Sequence, residues 1–409
     1  MRLIISLALI LPALSLAASQ VLHTQSRWIV DSNGQRVKLR CVNWAGHMEV
    51  GIPEGLQHQS IDKISSFVAS AGFNCVRLTY SIDMALSPNT LVSDSFNAAA
   101  GPTGVPLATL QSLYQNVTAN NPSLSSATTL SAFGAVISSL GSKGIMVILD
   151  NHVSKAQWCC NLTDGNGWWS QASGYNSMNS RYFDANNWLA GLTAMANFSK
   201  QYPNIVGMSL RNEMRAFLLQ DFNNHADWKN FVTQGANAVH NAHPDLLIMI
   251  GGVDSATNFS FQRFQPFNIS AWLGKVVWEY HVYSFTVGYI TSNCNIFQAE
   301  MGAAAGYLLT QNMPYTGPLW LSEFGFGMTG GNNNGVNDQD YKYLTCLVSY
   351  LQSNDADWAI WALQGDYYVR EGQPSYDEGY GVMNKDWSDF RNPNFKSLLG
   401  GIFNVTQGP

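Results

Sequence analysis

Short apolar, β-branched runs recur along the chain, with amphipathic stretches between them. The runs are residues 37–44, 73–79, 145–151, 205–210, 246–252, 275–281, 318–324 and 358–364. Each is too uniformly apolar for a strand with one wet face, so each reads as a strand covered on both sides. Between the runs, apolar positions fall three and four apart. Ile61, Ile64, Phe67 and Val68 share one helical face behind a capping Ser60 and stop at Gly72. Leu130, Phe133, Val136, Ile137 and Leu140 form a second such stripe, and Trp188, Leu192, Met195 and Phe198 a third. Eight strand units with no break in composition predict an α/β fold, a closed (β/α)8 TIM barrel rather than an open doubly wound sheet. Two segments depart from the alternation. Residues 28–39, WIVDSNGQRVKL, predict an N-terminal β-hairpin turning at Asn33-Gly34. Residues 81–126, rich in Asn, Ser, Pro and Thr, predict a long strand-to-helix loop with only short helices.

Composition narrows the picture. Hydrophobic residues make up 46% of the 409 and charged residues 12%, enough for a large core. With 21 Lys+Arg against 27 Asp+Glu and no basic stripe, nucleic acid is excluded as a partner. The 13 Trp and 17 Tyr suit a protein that stacks sugar rings on flat apolar faces. Residues 1–17, MRLIISLALILPALSLA, place one Arg before an apolar run, with small Ser15 and Ala17 at cleavage positions. They read as a secretory signal peptide, leaving 18–409 as a single domain. Nothing later has the length and apolarity of a membrane span. The expected product is secreted, extracellular and monomeric. Sequons at Asn116, Asn161, Asn197, Asn258, Asn268 and Asn404 agree, as candidate N-glycan sites. Six cysteines, Cys41, Cys75, Cys159, Cys160, Cys294 and Cys346, point to disulfides, with pairing open and buried thiols as the alternative.

The chemistry lies where polar residues interrupt the strands. In a barrel, the strand ends converge on one mouth. There the sequence offers Arg77, Asn151-His152, Asn212-Glu213, His281 with Tyr283, Glu323 and Trp361. One such residue is unremarkable; six strands ending this way are not. Two carboxyls flanking a glycosidic bond supply a proton to the leaving oxygen and stabilise an oxocarbenium-like centre. Glu213 and Glu323 sit three strands apart in an eight-strand ring, facing each other across the mouth. Arg77, a permanent cation, can hold Glu323 ionised. Asn212 can bond a sugar 2-hydroxyl, His281 and Tyr283 can orient the carboxylates, and Trp361 can form a sugar platform. Gly325, Gly327 and Gly330 spell G-x-G-x-x-G, but TGGNNNGVND follows where a nucleotide-binding helix has to start, so the segment reads as a loop. No cofactor or metal is implied: His152, His281 and the glutamates could ligate an ion, but Arg77 stands beside them.

The motifs NCVRL, DNH, RNE, YHVYS, SEFG and WAL occur in this order. With them the chain resembles glycoside hydrolase family 5, the cellulase-type family of clan A, from about residue 28 to 395. The resemblance implies a (β/α)8 barrel and a retaining, metal-independent mechanism, with Glu213 as acid/base and Glu323 as nucleophile. It implies supporting roles for Arg77, His152, Asn212, His281 and Tyr283, with Trp361 at the platform position. The segments 43–56, 152–169, 207–215 and 363–381 further resemble a eukaryotic, secreted, cellulase-like branch of that family. The implied function is hydrolysis of β-linked glucans or glycosides, of endo-β-glucanase or β-glucosidase type. A non-catalytic glycan-binding barrel and a transglycosylase are the alternatives. Trp158, Trp168 and Trp169 read either as sugar platforms or as loop core. Asp164, Arg370, Glu371, Asp377 and Glu378 read either as sugar ligands or as braces of long loops, and Asn151 as a further sugar contact.

Overall fold

The strands form where the apolar runs lie, and they close on themselves. The computed structural model describes residues 21–287 and 293–409, so the signal peptide expected at 1–17 lies outside the described residues. In chain order the strands are β1 (His23–Gln25), β2 (Trp28–Val30), β3 (Arg40–Trp44), β4 (Cys75–Ser81), β5 (Met146–Val153), β6 (Ile205–Ser209), β7 (Leu247–Gly251), β8 (Val276–His281), β9 (Leu319–Phe324), β10 (Asp357–Ile360), β11 (Asp366–Arg370) and β12 (Gln373–Asp377). β3 to β10 form a closed barrel in sequence order, with β10 returning to β3. All eight pairings are parallel. Helices on the outside bury their apolar stripes against the strands; Ile64 and Val68 of Ile61–Ser70 are fully buried. Ser60 caps that helix, its hydroxyl accepting from the Lys63 N–H at 3.3 Å.

The core has two layers. One fills the space between strands and helices. The other lies inside the barrel: Cys41, Cys75, Ile148, Val206, Met249, Val277, Trp320 and Ala359, joined by Leu22 and Ile29 from the N-terminal segment. That segment closes the end of the barrel away from the strand C-termini. The predicted hairpin is displaced. The ladder pairs β1 with β2 about Ser26-Arg27, while the Asn33-Gly34 turn carries only a Val30–Arg36 bridge. Asn33 and Gln35 instead donate backbone N–H groups to the Asp31 carboxylate at 2.8 Å, and that local turn competes with a longer ladder.

The insertion also differs from expectation. It folds into helices Val92–Thr103 and Leu107–Asn120, after a turn at Ile82–Ala85. Phe96, Ala99, Leu110, Leu113 and Val117 are buried; a narrow apolar stripe within polar composition is enough when tertiary packing covers it. Phe96 packs edge-on against Tyr368 of β11, so the insertion braces the β11–β12 hairpin. All six cysteines are paired: Cys41–Cys75 across β3 and β4, Cys159–Cys160 in the loop after β5, and Cys294–Cys346 between two outer helices. Among the described residues, no helix is long and apolar enough to cross a membrane.

Candidate active site

A parallel barrel delivers the ends of its strands to one rim. Here β4 brings Arg77, β5 brings Asp150 and His152, and Asn212-Glu213 follow β6. His281 ends β8 with Tyr283 just beyond, Glu323 lies in β9, and Trp361 follows β10. His152, Asn212, Glu213, Tyr283, Glu323 and Trp361 line one cleft of ≈ 270 Å³. Arg77 and His281 stand behind its wall.

The two carboxylates have unequal surroundings. Glu323 receives Arg77 Nη1 at 2.7 Å and the Tyr283 hydroxyl at 2.9 Å. Arg77 also sits 2.9 Å from both Asp150 and Glu279. Burial works against its charge, but the three carboxylates outweigh burial and push its pKa further up. Burial raises the Glu323 carboxyl, and His281 and Arg77 pull it back toward ionisation. Glu213 has a weaker set: His281 Nδ1 at 3.1 Å, with no direct side-chain bond to a permanent cation. Burial pushes it up to about 7, with Arg215 and Arg77 opposing. Carboxylate oxygens of Glu213 and Glu323 lie within 4.8 Å of each other and of a His281 ring nitrogen. The same spacing would suit a metal ion, but a guanidinium 2.7 Å from Glu323 opposes a second cation. A second group, His47, His152 and Cys159, offers no thiolate, because Cys159 is in a disulfide.

The Glu213 backbone is left-handed, with φ at +43°, a conformation that non-glycine residues hold only when their surroundings impose it. Arg215 does so, with Nη1 donating to the Glu213 carbonyl at 2.8 Å and Nη2 meeting Asp164 at 2.5 Å. The sequence reading missed this residue, and nothing in the NEMR string marks it. It also missed Asp150 and Glu279, for which a signal was present: both are carboxylates inside otherwise apolar strands. Trp158, Cys159, Cys160, Phe285 and Tyr380 also line the cleft.

Several expected sugar contacts are corrected. Trp168 and Trp169 are fully buried; Trp169 stacks on Phe231 and meets Trp188 and Trp168 edge-on, so both are loop core rather than platforms. Asn151 turns from the cleft, accepting from Arg211 at 3.2 Å and donating to the Val153 carbonyl at 3.0 Å. Glu371 is exposed on the hairpin turn, 3.7 Å from Arg370, and does not line the cleft. Asp164 and Asp377 brace loops through Arg215 and Arg391. Arg370 and Glu378 do reach the cleft, paired at 3.0 Å, and Arg370 lies flat on Trp158 at 3.5 Å.

Residues 30–366 match the family model described as Cellulase (glycosyl hydrolase family 5). The chain belongs to glycosyl hydrolase family 5. A glycosyl hydrolase 5 family protein of Chamaecyparis obtusa is 38% identical over all of this chain and 70% of its own length. An endoglucanase of Paenibacillus polymyxa is 24% identical, over 93% of this chain and 86% of its own. The same fold recurs in the catalytic domain of the major endoglucanase from Xanthomonas campestris pv. campestris. It superposes with a TM-score of 0.71 at 22% identity, over 94% of this chain and 100% of that one. An endocellulase from Pyrococcus horikoshii complexed with cellotetraose superposes with a TM-score of 0.69 at 18% identity, over 94% and 100%. As a family 5 enzyme, the chain is a glycosidase that hydrolyses O-glycosyl bonds.

Proposed function

We propose that this enzyme is a retaining β-glycoside hydrolase of endoglucanase type, acting on β-linked glucan chains, with Glu323 as nucleophile and Glu213 as acid/base. The observation that carries the reading is the pair of carboxylates with oxygens within 4.8 Å. Retaining enzymes hold their carboxyls roughly 5 Å apart, too close for a water to stand between nucleophile and sugar. The unequal surroundings supply the division of labour. Glu323, held by Arg77 and Tyr283, ionises first and attacks the anomeric carbon. Glu213, held up to about 7 by burial, gives its proton to the departing oxygen. Glu213, now a base, then takes a proton from the water that releases the glycosyl group from Glu323. Asn212 bonds the sugar 2-hydroxyl, a contact that strengthens in the transition state. Trp361 and Trp158 offer apolar faces to the sugar rings. The substrate class is supported by the endoglucanase relatives and by the fold shared with the cellotetraose-bound endocellulase. Export is supported by the sequence of residues 1–17, and glycosylation by sequon side chains that are exposed at every position except the half-buried Asn258.

A proton NMR time course on cellotetraose tests the mechanism. The β-anomer of the product appears first and then mutarotates, and Glu323→Gln abolishes the signal. An α-anomer appearing first means inversion and removes Glu323 from the nucleophile's role.

A further inference from the structure

The cleft wall contains a bond between adjacent cysteines that the mechanism above does not use. Cys159 and Cys160 form a disulfide, and both line the cleft. Their neighbour is the Asn212 amide. Arg77 has only donors, so the Asn212 atom 2.9 Å from its Nη2 is Oδ1. Asn212 Nδ2 therefore points the other way, 3.4 Å from Cys160 Sγ, 3.8 Å from Cys159 Sγ and 3.4 Å from His152 Nε2. All three are acceptors. Disulfide sulfur carries no hydrogen. His152 is neutral, its pKa lowered by burial, and its Nδ1 lies 2.6 Å from the Asp150 carboxylate, so the ring proton is on Nδ1 and Nε2 is bare. Donors on one side and acceptors on the other leave this amide a single orientation.

The backbone just after the sulfurs is pinned to the residues that follow Asn212. Asn161, next in the chain, gives its carbonyl to Arg215 Nε at 3.1 Å, and Arg215 Nη1 binds the Glu213 carbonyl at 2.8 Å. Two free thiols in the same loop would differ chemically. Each brings an S–H donor and a free rotor, and either can point a hydrogen at Asn212 Nδ2.

We propose that the Cys159–Cys160 disulfide is a positioning element for the 2-hydroxyl contact: an acceptor-only wall that, opposite Arg77, holds the Asn212 amide in the one orientation that presents Nδ2 on the cleft side. The inference rests on the glycosidase reading and deepens it. It assigns the pair a role in transition-state discrimination rather than in holding the fold.

The test compares an aryl β-glucoside with its 2-deoxy analogue, in the wild type and in Cys159→Ser/Cys160→Ser. The wild type prefers the substrate with the 2-hydroxyl. The double variant is expected to lose about tenfold of that preference, the worth of one misplaced hydrogen bond in a transition state. The loss falls in kcat and is larger on the substrate with the 2-hydroxyl than on its 2-deoxy analogue. In an Asn212→Ala background, the cysteine substitutions leave the preference unaltered. Should the double variant not fold, the wild type is assayed in reductant titrated until mass mapping shows the pair open. The same ratio then decides. Preference retained in full, or equal losses on both substrates, overturns the inference. A wild type that cleaves no β-glycoside overturns the glycosidase reading itself; an active wild type with an unmoved ratio overturns only the role of the disulfide.

Discussion

Glu213 and Glu323 are the same residue type made different by what touches them. Arg77 and Tyr283 donate to one; burial dominates the other. A general acid has to carry its proton, and Glu213 gives it up as pH rises through about 7. On cello-oligosaccharides, kcat/KM is therefore expected to fall above about pH 7 and to hold below it until Glu323 protonates. Aryl glycosides with leaving groups that need no proton lose most of that alkaline limb. A limb that stays above pH 9 on both substrates assigns the proton to another group. Ionising Glu213 also costs stability, because its folded pKa lies above its ordinary value. That contribution is whole below the ordinary carboxyl range and disappears as pH rises through about 7. Most residues of the site were legible because they interrupt an apolar run or follow its end, as Arg77 does within β4 and Asn212 and Glu213 do after β6. Arg215 was not, since its work is on a backbone carbonyl and a left-handed φ that no motif records.

Among the elements, the loop after β5 shows how one residue type takes two jobs. Trp168 and Trp169 are fully buried, Trp169 among Phe183, Trp188 and Phe231 and Trp168 edge-on to Trp169, whereas Trp158 stands in the cleft wall under Arg370. Trp168→Ala and Trp169→Ala each empty a core site, and each is expected to cost about 3–5 kcal/mol of stability. Trp158→Ala is expected to leave the urea midpoint nearly in place and to raise KM for cellotetraose. Urea titration beside steady-state kinetics separates the two classes, and a Trp168 variant of full stability with raised KM reverses the assignment. Aromatic identity alone could not sort these three, because burial depends on where a loop folds back. The eight barrel strands were legible from runs covered on both faces. The helices at Val92–Thr103 and Leu107–Asn120 were not, because Asn, Ser and Thr mask a stripe as narrow as Leu110, Leu113 and Val117.

At the scale of the molecule, the two ends of the barrel do separate work. The cleft occupies one end, and Leu22 and Ile29 close the other against Val277, Trp320 and Ala359. Deleting residues 21–31 is expected to lower the urea midpoint strongly, with a loss of at least about 3 kcal/mol, as for other emptied core sites. At low temperature kcat/KM stays close to that of the intact chain; a fall in kcat/KM without a fall in stability would tie the two ends together. The ring itself closes between β10 and β3. Asn43 of β3 accepts from Arg77 at 3.0 Å and donates to the Ser322 and Ile360 carbonyls, the latter 317 positions further along. A chain leaving the ribosome from its N-terminus therefore carries Asn43 and Arg77 long before Ser322, Glu323 and Ile360 exist. Until the last strand emerges, β3 and β9 are open edges that invite pairing with other chains. Contacts this distant in sequence make closure slow. Nascent chains are thus inactive until β10 has emerged, and their greatest need for protection from aggregation comes just before it does.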